Sequence, residues 1–351
     1  MNTPTQTQTS VMRLRGLAAL LVVFGHSFHP PAINQVQYLL NPAFLLISSA
    51  TVLFVLISGM LFGSVAVPRV LDGRTSTQEI LRRRWSELSG LYLTVGFFLA
   101  VVIGFKEGLR EGINPLFHFV RMMLNGGMAH SYWYVPFFLL LMACTPLHVW
   151  FCRQKVGVQT GLVIVGLVIS AIIHRPDAYA LFGAVHSLVY YIPVFWFGLM
   201  LGGNTSALLN WLRHKELPLL VAILCIIAIQ TVIGQDQVYL TSFGERWGSF
   251  DLFVIQKVVF GLLFLSIFER TKQMEMPLID WISRHSLTIF FMHPPILILM
   301  MWVPNLSGFF VPELIALTAF MIVAGLQLHK ALIRISQRML PTDFAIFSSR
   351  V

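Results

Sequence analysis

Arg15 and His26 stand eleven residues apart in the stretch MRLRGLAALLVVFGHSFHP, residues 12–30. Read as a helix, that separation is about 16 Å along the axis, and eleven steps return to within about 20° of the starting face. A guanidinium and an imidazole therefore share one stripe, with Arg13 on nearly the opposite side. Imidazole is the side chain best suited to take a proton near neutral pH. Guanidinium offers forked donors to phosphate or carboxylate. An ionisable group inside an apolar helix is costly and marks a functional position by default. Arginine after a polar N-terminus also serves as the cytoplasmic anchor of a first membrane helix. Both readings stand for Arg15.

Other groups add to the inventory. Arg82, Arg83 and Arg84 form a basic cluster before an apolar run, and supply multidentate donors for an anion or a plain positive-inside anchor. Trp133, between Tyr132 and Tyr134, fits an interfacial aromatic belt and, as the sharper alternative, a sugar-stacking platform. His293 precedes Pro294 and Pro295 and fits either a substrate pathway or a packing role. His29 reads as a rim residue. Ser58-Gly59 reads as a close helix-packing point more readily than as a nucleophile. Lys257 and Glu87 are ionisable groups in or near apolar runs, to be paired inside a bundle. No Gly-rich phosphate loop, GxSxG or HExxH is present, and Cys144, Cys152 and Cys225 lack metal-type spacing. No metal is expected.

The elements that must position these groups follow from composition. The chain of 351 residues is 56% hydrophobic and 11% charged, against roughly 25% charged in soluble proteins. The expectation is an all-α, polytopic transmembrane helical bundle. Ten apolar runs are near the length needed to cross a membrane: about 12–29, 42–63, 88–105, 132–151, 157–173, 186–202, 217–234, 251–268, 285–303 and 310–328. The first lacks a small-x-small cleavage site and is read as retained. Residues 1–11 read as a polar tail, 12–328 as the membrane domain and 329–351 as a basic tail. With both termini cytoplasmic, eighteen of the 24 Lys and Arg lie on inner segments and five on outer ones, Lys257 being within a span. That bias is a positive-inside pattern. It accounts for the formal charge of +9 without a nucleic-acid partner.

The ordered set of motifs resembles the membrane acyltransferase-3 family. Arg15-x10-His26 is followed by Ser-Gly within FVLISGML (54–61), the Arg82–Arg84 cluster, and Tyr132-Trp133-Tyr134-Val135. Tyr191-Ile192-Pro193 with Phe197-Gly198-Leu199, and Ser286 to Pro295, complete it. Leu287 and Phe290 stand where the family carries tyrosines. Glu87 and Gly90 stand where it usually carries a further arginine and a proline. The resemblance implies an integral-membrane enzyme, here placed in the inner membrane, that moves an acyl group, usually acetyl, from cytosolic acyl-CoA. The acceptor would be a hydroxyl of a cell-surface glycan or lipid-linked sugar. It implies catalytic roles for Arg15 and His26, donor binding by Arg15, Arg82, Arg83 and Arg84, and substrate contact by Trp133; His293 is read as a second substrate contact from its own place before Pro294 and Pro295. Direct transfer and an acyl-histidine step both remain open, as do the acceptor, the acyl length and the oligomeric state. A transporter or exporter of a glycan precursor, with His26 and Lys257 as pathway groups, is the rival reading.

Overall fold

The computed structural model describes residues 6–27, 45–46, 50–97, 99–101, 103, 114–127, 131–175, 183–233, 250–301, 323 and 327. The expected span 310–328 apart from residues 323 and 327, the expected tail 329–351, residues 32–41, and residues 235–249 lie outside the described residues. Those described are helical with short connections and contain no strand. Four helices are long and apolar enough to cross a membrane, or up to six if each of two bent helix pairs is one span.

Helix α1 runs Gln6–Ser27. It starts before residue 12 because its polar first turns find partners. Ser10 donates a hydrogen bond to Glu269 at 2.9 Å. Arg13 is bound by Asp280 at 2.9 Å and by the carbonyls of Thr271 and Met274 at 3.1 and 2.8 Å. Arg13 therefore fastens α1 to the turn between α12 (Phe253–Arg270) and α13 (Pro277–Arg284).

Helix α2 (Thr51–Leu61) continues through a π turn at Phe62–Ala66 into α3 (Val67–Leu71). It sits at the centre, packed against α1, α12 and α9 (Gly183–Gly203). Gly59 of α2 faces Gly198 of α9. A methyl group on Gly59 would overlap the Phe195 carbonyl, and one on Gly198 the Leu56 carbonyl. Missing side chains let the two backbones touch, as close membrane-helix packing requires.

Helix α4 (Thr77–Leu91) opens with a Ser76 cap, whose hydroxyl accepts from the Glu79 amide at 3.1 Å. Glu three residues after a capping Ser is the sequence signature of such a start. The helix runs through a π turn at Tyr92–Gly96 into the apolar residues beyond. The arginine cluster and the expected third span thus share one rod. A short helix, α5 (Pro115–Asn125), lies between the expected spans 88–105 and 132–151. Leu116, Phe117 and Leu124 are exposed on its surface, as an interfacial segment would present them.

The expected fourth span is two helices, α6 (Tyr134–Ala143) and α7 (Thr145–Cys152), bent by 57°. Pro146 has no N–H for the Met142 carbonyl, and the Thr145 hydroxyl donates to it instead. His148 spans the break, bonding the Leu141 carbonyl at 2.8 Å and accepting from the Trp196 indole at 3.1 Å. Helix α8 (Val156–Ile173) packs on α9. Helices α10 (Thr205–Leu212) and α11 (Glu216–Val232) meet at 84°. Helix α14 (Ser286–Met301) closes the described bundle and packs on α1.

Candidate active site

His26, in the last turn of α1, meets His293, in the middle of α14. The Nδ1 of His26 lies 2.8 Å from the Nε2 of His293, and the rings stack at 5.1 Å between centroids. The Nδ1 of His293 lies 3.0 Å from the Ile289 carbonyl. A carbonyl only accepts, so His293 carries its proton on Nδ1 and, when neutral, presents a lone pair at Nε2. His26 must then donate from Nδ1. Neutral His26 is left with its lone pair on Nε2, the atom a general base uses. One backbone carbonyl fixes the tautomers of both rings.

Local sequence explains why α14 holds this position. Pro294 and Pro295 remove two backbone donors inside the helix. The Phe291 carbonyl, which would have received the amide of residue 295, accepts instead from the Tyr132 hydroxyl at 2.6 Å. Tyr132 is wholly buried and its ring lies against Phe291. The prolines and Tyr132 together hold the helix to the turn that leads into α6.

Arg15 occupies the other end of the α1 stripe. It is half-buried and, unlike Arg13, has no hydrogen bond or ion pair to any described residue. Its electrostatic neighbours are the Tyr134 phenol and the guanidinium of Arg84. Tyr134 in turn shares a hydrogen bond with Ser58 of α2. Arg15 and Arg84 thus bring two guanidiniums within electrostatic reach of one another, and guanidiniums are forked donors suited to an anion.

Aromatic rings fill the distance between these two ends. Tyr134 lies 5.5 Å from Phe290, Phe290 lies 6.2 Å from His293, and Phe54 touches both Tyr134 and Phe290 at 6.5 and 6.4 Å. Phe54 and Ser58 share one face of α2, four residues apart.

The other residues singled out in the sequence are placed as follows. Arg82, Arg83 and Arg84 are exposed on α4, and Arg84 is the one in electrostatic reach of Arg15. Trp133 is 8% exposed. It stacks on Tyr191 at 5.9 Å and lies against Phe137, so it packs as a core side chain instead of forming an open platform or a surface belt. The Lys257 ammonium is buried and donates to the Leu45 and Leu46 carbonyls, each at 2.6 Å. His29 and the Glu87 side chain lie outside the described residues. Phe54, Tyr134 and Phe290 are given no site role by the sequence, although all three stand within its motifs. The available signal was the shared face of Phe54 and Ser58. No group of three or more His, Cys, Asp or Glu side chains able to hold a metal occurs among the described residues.

A family model described as an acyltransferase domain matches residues 10–328. Comparison with curated proteins and with solved structures gives no match. The matched region takes in Arg15, His26, the arginine cluster and His293 and covers nearly all of the chain, which therefore belongs to the acyltransferase-3 family of membrane acyltransferases.

Proposed function

We propose that the chain is an inner-membrane O-acyltransferase that moves acetyl or another short acyl group from cytosolic acyl-CoA to a glycan or lipid-linked sugar hydroxyl. Both termini would face the cytosol and about ten spans would form the bundle. The observation that carries the reading is the His26–His293 pair at one end of the α1 stripe, with Arg15, in electrostatic reach of Arg84, at the other. Arg84 and Arg15 would receive the phosphates and polar arm of the donor. The thioester would lie towards the histidines.

In the transfer step, His26 Nε2 takes the proton of the acceptor hydroxyl as its oxygen attacks the thioester carbonyl. The C–S bond then breaks, the ester forms, and the departing thiolate recovers the proton from the imidazolium. His293 accepts from His26 Nδ1 throughout and holds the ring in the reactive tautomer. A positioned base of this kind contributes about 10²–10⁴-fold. Water-poor surroundings strengthen each of these polar contacts.

The test is transfer of labelled acetyl from acetyl-CoA by purified protein in proteoliposomes, with a lipid-linked sugar pool as acceptor. Labelled ester in the acceptor, or release of free CoA dependent on it, supports the proposal. Movement of the sugar across the bilayer with acetyl-CoA untouched would establish the transporter reading.

A further inference from the structure

Phe54, Tyr134 and Phe290 come from three different helices and form a closed triangle of rings, with centroids 5.5 to 6.5 Å apart. The triangle touches both ends of the site. Tyr134 is the neighbour of Arg15, and Phe290 is the neighbour of His293. All three rings are half-buried. So are Thr51, Ser58 and Leu61, which with Phe54 make one stripe of α2, whereas Leu53, Val55, Leu56 and Ile57 on its other faces are at most 2% exposed. The three rings thus present an apolar face that stays partly accessible beside this stripe.

The rings are also held in place. Tyr134 stacks on Phe138 at 5.5 Å and its hydroxyl is tied to Ser58. Phe290 packs edge-on against Phe291 at 5.4 Å. Rings in mutual contact leave no slot between them for a long flexible chain. An apolar face beside a histidine base is nonetheless the surface an acyl group needs.

We propose that the Phe54–Tyr134–Phe290 triangle is the acyl-chain subsite and that it limits the transferred group to a short acyl chain. This rests on the acyltransfer reading above. The rings admit the end of an acetyl or propionyl group against Phe290. A longer chain has to displace Phe54 or Phe290 from its neighbours. Each added methylene that cannot be accommodated discriminates by about 10–200-fold, so the boundary should be sharp.

The experiment measures kcat/KM for acetyl-, butyryl-, hexanoyl- and octanoyl-CoA in the wild type and in Phe54→Ala, Phe54→Leu, Phe290→Ala and Phe290→Leu. Insertion is checked by yield and elution profile. The wild type should use acetyl-CoA and lose activity steeply with chain length. Trimming either ring should raise the hexanoyl-to-acetyl ratio by about tenfold or more, with Ala above Leu. If the alanine variants fail to insert, the leucine variants decide, since they remove the ring and keep most of its volume. A ratio unchanged in every inserted variant overturns the subsite, as does a wild type that uses octanoyl-CoA as well as acetyl-CoA. A wild type that transfers from none of the donors overturns the acyltransfer reading itself, which separates the two failures.

Discussion

His26 Nδ1 and His293 Nε2 are 2.8 Å apart although 267 residues separate them in the chain. The relationship converts two isolated histidines into a directed pair. The Ile289 carbonyl places the proton on one ring, that ring's lone pair places the proton on the other, and the lone pair of His26 follows. A histidine in this position orients its partner much as a carboxylate does, without adding a formal charge to a membrane interior where charge is costly.

The first prediction separates the two rings. His26→Ala should lower kcat by about 10²–10⁴-fold with donor affinity preserved, because a base acts in the transition state. His293→Phe removes the acceptor that fixes the tautomer, and should lower kcat by about 10–10³-fold at similar KM. His293→Gln keeps an acceptor oxygen and should recover part of the loss. Steady-state transfer with donor binding measured separately reads all three. Equal activity in His293→Phe and His293→Gln would remove the tautomer argument.

A second prediction concerns two arginines two residues apart. Arg13 is 3% exposed and bonded to one carboxylate and two carbonyls. Arg15 has no described partner. Arg13→Ala should destabilise the protein by roughly 1–3 kcal/mol, since it removes the charge-assisted bonds of a buried guanidinium to Asp280 and two carbonyls, and should leave donor affinity unchanged in the protein that still inserts. Arg15→Ala should do the reverse, weakening donor binding with little loss of thermal stability. Arg15→Lys should restore binding only in part, because an ammonium lacks the planar fork. Thermal shift in detergent and acyl-CoA titration on the same preparations give the two readouts.

Much of this arrangement is legible in the chain because the apolar runs and their charged flanks report helices directly. The stripe through Arg15 and His26 follows from helical periodicity alone, and both ends are occupied as that stripe requires. What periodicity does not give is partnership across hundreds of residues. His293 looked equally suited to packing, and only the crossing of α14 over α1 brings it to His26. Arg13 and Arg15 are the same residue type in the same local context, and their difference comes from Asp280 on a distant helix. The single expected span 132–151 is bent at Cys144 because Pro146 and His148 act through backbone carbonyls, a signal that a count of apolar residues does not contain. The Tyr132-Trp133-Tyr134 element reads as a belt by composition, yet its three side chains point to three different neighbours.

The third prediction ranks the basic cluster. Arg84 is the member in electrostatic reach of Arg15, while all three are exposed on α4. Arg84→Gln should raise the KM for acyl-CoA several-fold, and more than Arg82→Gln does. The effect should shrink at high ionic strength, as attraction between exposed charges is screened. Equal and small effects from all three single variants would reduce the cluster to a membrane anchor.

The fourth prediction concerns orientation, on which the route from a cytosolic donor to an external acceptor depends. Counted with both termini inside, eighteen inner against five outer cations satisfy the positive-inside pattern, and an even number of spans is the arrangement proposed here. Reporter fusions within residues 34–38 and 235–245 should therefore read as external, and a fusion after residue 351 as cytoplasmic. The same orientation puts α4 at the cytosolic face. A cysteine at position 84 should react with an impermeant thiol reagent in inverted vesicles and not in intact cells, and acyl-CoA should slow that reaction. The Arg84→Cys variant is best made with Cys144, Cys152 and Cys225 replaced by serine or alanine, so that the signal has one source. Labelling of position 84 from outside intact cells would invert the bundle. It would place Arg15 and Arg84 away from any cytosolic donor, and the proposed direction of transfer would fail with it.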